Sequence, residues 1–396
     1  MIPILLQPFL RRFYPPEAFG TFSVYMSVVG ILLIVLSLKY ENAIILPKKD
    51  KSAANLLLLS IIINLFFSFV IFVVVLIWHH QINQLLNIHP AYQQFIYLIP
   101  FGAFLYSFYQ SLNFWLIRKK AFYAITVNKL TRRGFEGFLQ MGFHFIRMKT
   151  GLIWGDIIGN IANSIWGVKQ CVNTGLNLKT FSFVKLKYVA KHYQEYPKYN
   201  VIPSLMSACS YLMPAILINT FYSAENTGYF DLSKLLLSVP LALIASSLSN
   251  VLLQRIVERK NLNESIKKDL MAIFSVVAII GVVEIILIGL WANEIFSVIF
   301  GKNWIFSGEI SKILVWSYAL NFIISSFTGL FISLQRIKIF GIWQFFYFLG
   351  ILSLFLFKDL IFIDFLKIYV VIEVVCYFAL LLILFNIVFK YEVSIK

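Results

Sequence analysis

The feature that most constrains this chain is the recurrence of long, almost uncharged apolar runs. Eleven of them, near 19-46, 54-78, 94-117, 122-146, 151-171, 201-222, 228-253, 269-291, 308-332, 337-357 and 361-389, are separated by polar breaks. A bilayer core of about 30 Å is crossed by roughly 20 apolar residues in an α-helix, and each run is long enough. Of the 396 residues, 60% are hydrophobic and only 13% charged, whereas soluble domains carry about a quarter charged residues. No run alternates in polarity as a transmembrane barrel strand must, and a lone strand would leave its backbone unpaired in lipid. The expected fold class is all-α, a polytopic membrane protein.

A net charge of +16 would fit nucleic acid if the cations were gathered on one patch, but they are spread among the breaks between runs. Taking the breaks alternately, one side collects clusters at 48-51, 118-120, 169-198, 255-268, 336-338 and 390-396, including Lys179 and Lys396. The other side holds Arg11, Arg12, Arg147, Lys149, Lys302 and Lys358. Basic residues favour cytoplasmic loops, so the first side is cytoplasmic and no nucleic-acid partner is expected. Cys171, Cys209 and Cys376 lie in or beside runs without paired or metal-ligand spacing and read as packing residues. His79, His80 and His89 sit in an outer loop and suit an interfacial role better than a metal site.

The opening, MIPILLQPFLRRFYPPEAFG, has too few apolar residues before Arg11 to span, and lacks a signal peptide's charged start and cleavage site. It reads as the end of a truncated first helix, which would bring the spans to twelve. The longest polar interval, 172-200, then separates an N-terminal bundle (1-171) from a C-terminal bundle (201-396). Two six-helix bundles in a pseudo-two-fold arrangement around a central cavity is a common transporter plan. The outer loops are too short to carry the catalytic groups of a polysaccharide polymerase. GFEGF (134-138) and GLIWGDIIG (151-159) lack the lysine and strand-to-helix setting of a phosphate cradle. No enzyme activity and no cofactor is expected.

Four stretches carry a family resemblance. RRFYPPEAFGTFSVYMSVVGILLIVLSLKYENAIILPKKDKSAANLLLLS resembles the opening of the bacterial Wzx-type polysaccharide (O-antigen repeat unit) flippases, of the multidrug/oligosaccharidyl-lipid/polysaccharide exporter superfamily. YQSLNFWLIRKKAF, the segment from YPKYNVIPSLMSACSYL to SSLSNVLLQ, and FGKNW at 300-304 agree with it. The resemblance implies a cargo, an undecaprenyl-pyrophosphate-linked oligosaccharide moved from the cytoplasmic to the outer leaflet of the bacterial inner membrane. It also implies ion coupling, a polymerase and a chain-length regulator as pathway partners, and a cavity-facing basic residue at Lys234. On the residues alone, YPPEAFG is a helix start, with prolines before it and Glu17 at its positive dipole end. LPKKDK is a stop at the cytoplasmic face.

Charges inside spans cost about 2.5 to 3.5 kcal/mol each on insertion scales and usually face a cavity or a partner. Lys129, Arg132, Arg133, Glu136, Gln140, His144 and Arg147 recur every three or four residues, a single helical stripe roughly 27 Å long. Arg132 or Arg133 can reach Glu136 at that spacing. The stripe either lines a cavity through the bilayer or belongs to a basic amphipathic helix on its surface. Asp231 and Lys234 stand three apart, so Lys234 is either a cavity cation or half of a salt bridge. Asp156, Glu284 and Glu373 are lone acids within spans: proton-coupling candidates, or partners of neighbouring helices. Lys39 and Glu41, two apart on the extended run 19-46, would point about 200° apart on a helix and face different neighbours. Lys39 would then attract an anionic head group, unless both snorkel into the interface. The candidate substrate set is Lys39, Lys129, Arg132, Arg133, Gln140, His144 and Lys234. A multidrug exporter of the same superfamily would favour a more acidic or apolar cavity for cationic drugs, and this stripe is net basic.

Overall fold

The computed structural model describes residues 2-177 and 181-395, so Lys179 and Lys396, two of the cations that alternation assigns to the cytoplasmic side, lie outside the described residues. Every regular element among the described residues is a helix. In chain order these are α1 (Ile2–Phe13), α2 (Pro16–Leu36), α3 (Asp50–Leu85), α4 (Ile99–Arg118), α5 (Phe122–Phe145), α6 (Gly151–Asn173) and α7 (Phe183–His192). They continue as α8 (Glu195–Phe221), α9 (Ala224–Asn261), α10 (Lys267–Phe300), α11 (Ile305–Ser325), α12 (Gly329–Ser333), α13 (Ile337–Leu352) and α14 (Phe362–Ser394). Nine helical segments among the described residues are long and apolar enough to cross a membrane. The chain is thus an all-helical, multi-pass membrane protein. α5 and α6 are of spanning length but are not among the nine, because their charged and amide side chains lower their hydropathy.

Local chemistry sets the helix ends. α2 starts at Pro16, behind an extended Pro15 and with Glu17 in its first turn, where proline loses no hydrogen bond and an acid meets the dipole. It ends at Leu36, ten residues short of the apolar run. Leu38 and Lys39 take positive φ values of 49° and 61°, which an α-helix cannot continue through. A 3-10 turn, Tyr40–Ile45, follows. The helical geometry expected for Lys39 and Glu41 is therefore overturned. α3, 36 residues long, rises about 54 Å at 1.5 Å per residue and outruns the bilayer core. It kinks at Trp78, and His79 and His80 lie beyond the kink with ring centroids 4.1 Å apart.

The chain forms two compact units, Met1–Gly228 and Tyr229–Lys396. In unit 1, α2 packs on α4 and α8, α4 on α3 and α6, α6 on α5, and α5 on α1. The start of α9 closes against α2 without side chains between them: a Cβ on Gly20 would fall 1.6 Å from the Ala224 carbonyl oxygen, and one on Gly228 1.9 Å from that of Pro16. In unit 2, α11 packs on α10 and α14, and α13 on α14. The most enclosed spans are Lys302–Ser333 and Pro90–Arg118, in which 61% and 56% of an apolar 18-residue stretch is buried. Phe66, Phe69, Ile279 and Leu290 on α3 and α10 are exposed, as side chains facing lipid must be.

Loops that alternation assigns to one side meet at one end of each unit. In unit 1, Arg118 pairs with Asp50 at 3.0 Å, the Tyr40 hydroxyl donates to the Ala190 carbonyl, and the Trp115 indole donates to Thr174. At the other end His89 faces Glu17 at 3.3 Å. In unit 2, Arg255 and Arg259 pair with Asp269 at 3.2 Å, and Lys260 donates to the Ser333 carbonyl. The cysteines form no disulfide. Cys171 is buried, its thiol directed at the Leu112 carbonyl.

Candidate functional site

The polar stripe of α5 is a single continuous helical face, and most of it is already occupied by protein. Asn128 exchanges two hydrogen bonds with Gln170 of α6, at 2.6 and 2.9 Å. Gln140 donates to the Leu152 carbonyl at 2.9 Å, and its own carbonyl accepts from Tyr14 at 2.7 Å. Gly155 and Gly159 of α6 lie under Gln140 and Glu136, where a Cβ would come within 2.5 and 3.2 Å of those side chains. The small residues let α6 approach closely enough for its backbone to satisfy the amide.

Between these ends lies a buried charge cluster. Arg132 reaches the Asp156 carboxylate at 3.3 Å and Glu136 at 4.0 Å. Arg133 grips both oxygens of Glu136, at 3.0 and 3.2 Å. Asp156 is completely buried and accepts from the Tyr106 hydroxyl at 2.7 Å and from Tyr25 at 3.4 Å. The Arg132 guanidinium also donates to Tyr106 and lies 4.5 Å over its ring. Two cations thus meet two acids, and the cluster is close to neutral. This follows from the cost of burying charge: an unpaired ion in low dielectric is unstable, whereas a hydrogen-bonded pair persists. Only Arg133, with a side chain 37% exposed, offers an open face, against 12% for Arg132.

Unit 2 holds a second cluster. Glu373 of α14 accepts from Tyr369 at 2.8 Å and from Tyr347 at 2.9 Å, and Tyr347 and Tyr377 share a hydrogen bond of 3.2 Å. Trp343 stacks on Tyr347 with ring centroids 5.3 Å apart. Lys234 of α9 interacts electrostatically with Asp231 and with Glu373. Glu373 is therefore not a lone acid, and Asp156 is not one either. Glu284 of α10 has a buried Oε2 that no hydrogen bond reaches.

The expected site residues are thus gathered into two groups and four separate positions. Arg132, Arg133 and Asp156 meet in unit 1, with Gln140 two turns along the same face. Lys234 and Glu373 meet in unit 2. Lys129 is exposed on α5. His144 lies at the far end of the stripe, stacked on Phe13 at 4.9 Å, and lines a cavity of about 490 Å³ with Glu17, His89, Arg147 and Lys149. Glu284 stands apart on α10. Lys39 is buried in the turn after α2, where its charge acts on Glu41 instead of facing a different neighbour. Burial holds the Glu41 carboxyl above its ordinary range, against the opposing pull of a hydrogen bond from Ser37 and of Lys39. The separation expected of the two residues assumed a helix, and the positive φ of Lys39 removes that premise.

The tyrosines escaped the sequence reading because a neutral hydroxyl among 20 tyrosines carries no charge signal. One cue was nevertheless present: Tyr369 stands four residues before Glu373, at one helical turn.

A family profile described as "Polysaccharide biosynthesis protein" matches residues 9–309. Among solved structures, an inward-facing multidrug resistance MATE family transporter of the MOP superfamily aligns with TM-score 0.75 and 14% identity, over 99% of this chain and 95% of that one. The lipid II flippase MurJ in an inward closed conformation aligns with TM-score 0.69 and 14% identity, over 99% and 88%. No curated protein matches the chain. Identities this low bear on fold alone, and the fold is that of multi-pass transporters.

Proposed function

From the premise that the chain belongs to the polysaccharide biosynthesis protein family, we propose that it is a translocase for an undecaprenyl-pyrophosphate-linked oligosaccharide repeat unit. It moves the head group from the cytoplasmic to the outer leaflet of the bacterial inner membrane by alternating access, and performs no covalent chemistry. The observation that carries this reading is the breadth of the family match, residues 9–309, on a fold shared with the lipid II flippase MurJ. Such a cargo has a polar, anionic head and a tail that can stay in lipid, so the protein needs cations and hydroxyl partners but no enclosed tail site.

The α5 cluster suits that task by exchange of partners. Arg133 is held by Glu136 and partly open, and Lys129 is exposed one turn earlier. A pyrophosphate arriving there replaces one anion by another on Arg133, so no cation is left unpaired and the transfer costs little. Glu136 keeps Arg132 at 4.0 Å, while Arg132 stays anchored to Asp156 as the rigid base of the site. A carboxylate relieved of its cation can accept a proton. That gives Glu136, whose partner Arg133 the pyrophosphate engages, a route to ion coupling.

The test is reconstitution of the full chain into liposomes containing a fluorescent undecaprenyl-pyrophosphate oligosaccharide, with leaflet exposure read by an impermeant sugar-oxidising reagent. Protein-dependent transfer that Arg133→Gln slows at least tenfold supports the reading. Transfer of a cationic dye with no movement of the saccharide lipid would assign the chain to multidrug export instead.

A further inference from the structure

One feature of unit 2 takes no part in this scheme. A cavity of about 830 Å³ opens between the first turns of α10 and the last turns of α14, within the ~300–1,000 Å³ usual for ligand pockets. Its floor is buried and apolar: Leu270, Phe327, Leu330 and Leu384. Its flanks, Met271, Phe385, Phe389 and Val393, are exposed. Both helices are long apolar spans, so these flanks face acyl chains. The slot is therefore open sideways to lipid.

The rim at its end is polar and sits in a cation-rich region. Glu392 lines it but is already engaged: its carboxylate accepts from the amides of Ile266 and Lys267 at 2.8 and 3.1 Å and from the Ser265 hydroxyl at 2.8 Å. It thereby caps the positive end of α10. Nearby Arg255 and Arg259 are paired with Asp269 and Glu264. Lys267 also lines the rim, and no ion pair to its ammonium is found among the described residues. Lys268 is exposed beside it. An apolar slot that ends at an uncompensated cation is complementary to an amphiphile with an anionic head. By charge distribution this end is cytoplasmic, and basic pockets between helices on that side are where acidic lipid head groups dock.

We propose that the α10–α14 groove binds an anionic glycerophospholipid of the cytoplasmic leaflet, with one acyl chain on the Leu270–Leu384 floor and the phosphate at Lys267. A zwitterionic lipid would fill the floor equally but bring a second cation beside Lys267 and the exposed Lys268. The inference does not depend on what the chain transports.

The test uses the full chain, purified in detergent and stripped of lipid, with its thermal midpoint followed against phosphatidylglycerol and phosphatidylcholine of identical chains. A saturable rise is expected at a concentration at least tenfold lower for phosphatidylglycerol, and Lys267→Gln should abolish that preference. In a Phe385→Trp variant, phosphatidylglycerol brominated on its acyl chain should quench the added fluorescence, read as the difference from the parent protein. This second readout keeps the proposal testable if the Lys267→Gln variant does not fold. Equal response to both lipids, a preference that survives Lys267→Gln, or no quenching would overturn the proposal. Displacement of the brominated lipid by undecaprenyl phosphate at lower concentration than by phosphatidylglycerol would also overturn it, and would assign the groove to a polyprenyl chain.

Discussion

Arg132 and Arg133 are adjacent in sequence and carry the same charge, yet their surroundings assign them different work. Arg132 is buried against Asp156 and Tyr106, and removing it strands a carboxylate with no exposure. Breaking such a pair costs about 3–5 kcal/mol. Arg132→Met should therefore lower stability by that order in denaturant titrations in detergent, and adding Asp156→Leu should restore part of the loss. Arg133→Gln should cost less stability than Arg132→Met, because Arg133 is partly exposed, its replacement amide can still donate to Glu136, and Arg132 remains at 4.0 Å, while impairing transport. Glu41 supplies a pH signature. Its carboxyl titrates above the ordinary value of 4.5 because burial disfavours the charged form. The folded state therefore holds its proton more tightly than the unfolded chain, and stability from this group falls as pH rises above 4.5. Glu41→Gln should raise the thermal midpoint at pH 7 and leave it unchanged at pH 4; a gain at both would remove burial of the charge as the cause. At this scale the stripe itself was legible, since helical spacing of charges needs no tertiary information. So was the pairing with Glu136, three and four residues on; the second half of its neutralisation was not, because Asp156 lies 24 residues from Arg132 and finds it only through packing.

The helices draw on two kinds of contact whose costs can be separated. α5 and α6 are joined by amides and ion pairs, which in a membrane contribute about 0.6 kcal/mol each on average and up to ~2. A double-mutant cycle of Asn128→Ala and Gln170→Ala should give a coupling in that range, measured as a shift in unfolding free energy. Lack of coupling would show that the reciprocal amide pair adds nothing. The start of α9, within unit 1, meets α2 backbone to backbone at Gly20 and Gly228. Gly20→Ala places a methyl where the Ala224 carbonyl already sits. Overpacking costs typically 1–3 kcal/mol where neighbours can shift, and backbone shifts less readily than a side chain. A loss of at least that size is expected, against near neutrality for Gly142→Ala, where nothing lies within 4 Å. Hydropathy located the apolar helices well, since burial in lipid is a property of composition. It misjudged the end of α2, because a helix stop set by two residues of positive φ, neither of them glycine, leaves no mark in hydrophobicity.

For the whole molecule the alternation of loops makes a prediction that either orientation can test. In a cysteine-free background, single cysteines at Lys120 and Lys338 should react with an impermeant thiol reagent from the cytoplasmic side only, and those at Lys149 and Lys302 from outside only. A cysteine at Lys149 that labels from the cytoplasm would place α5 flat on the membrane surface and remove the stripe from any transport path. The sequence by itself determined that this is an all-helical, multi-pass membrane protein with its cations biased to one set of loops. The reason is that apolar length, helical period and charge asymmetry are one-dimensional quantities, readable residue by residue. The tertiary structure alone decided which charges are free. Whether an arginine in a span serves a ligand or the fold depends on which acid from a distant helix lies within about 4 Å of it, and that distance is set by small residues and tyrosines that carry no charge of their own.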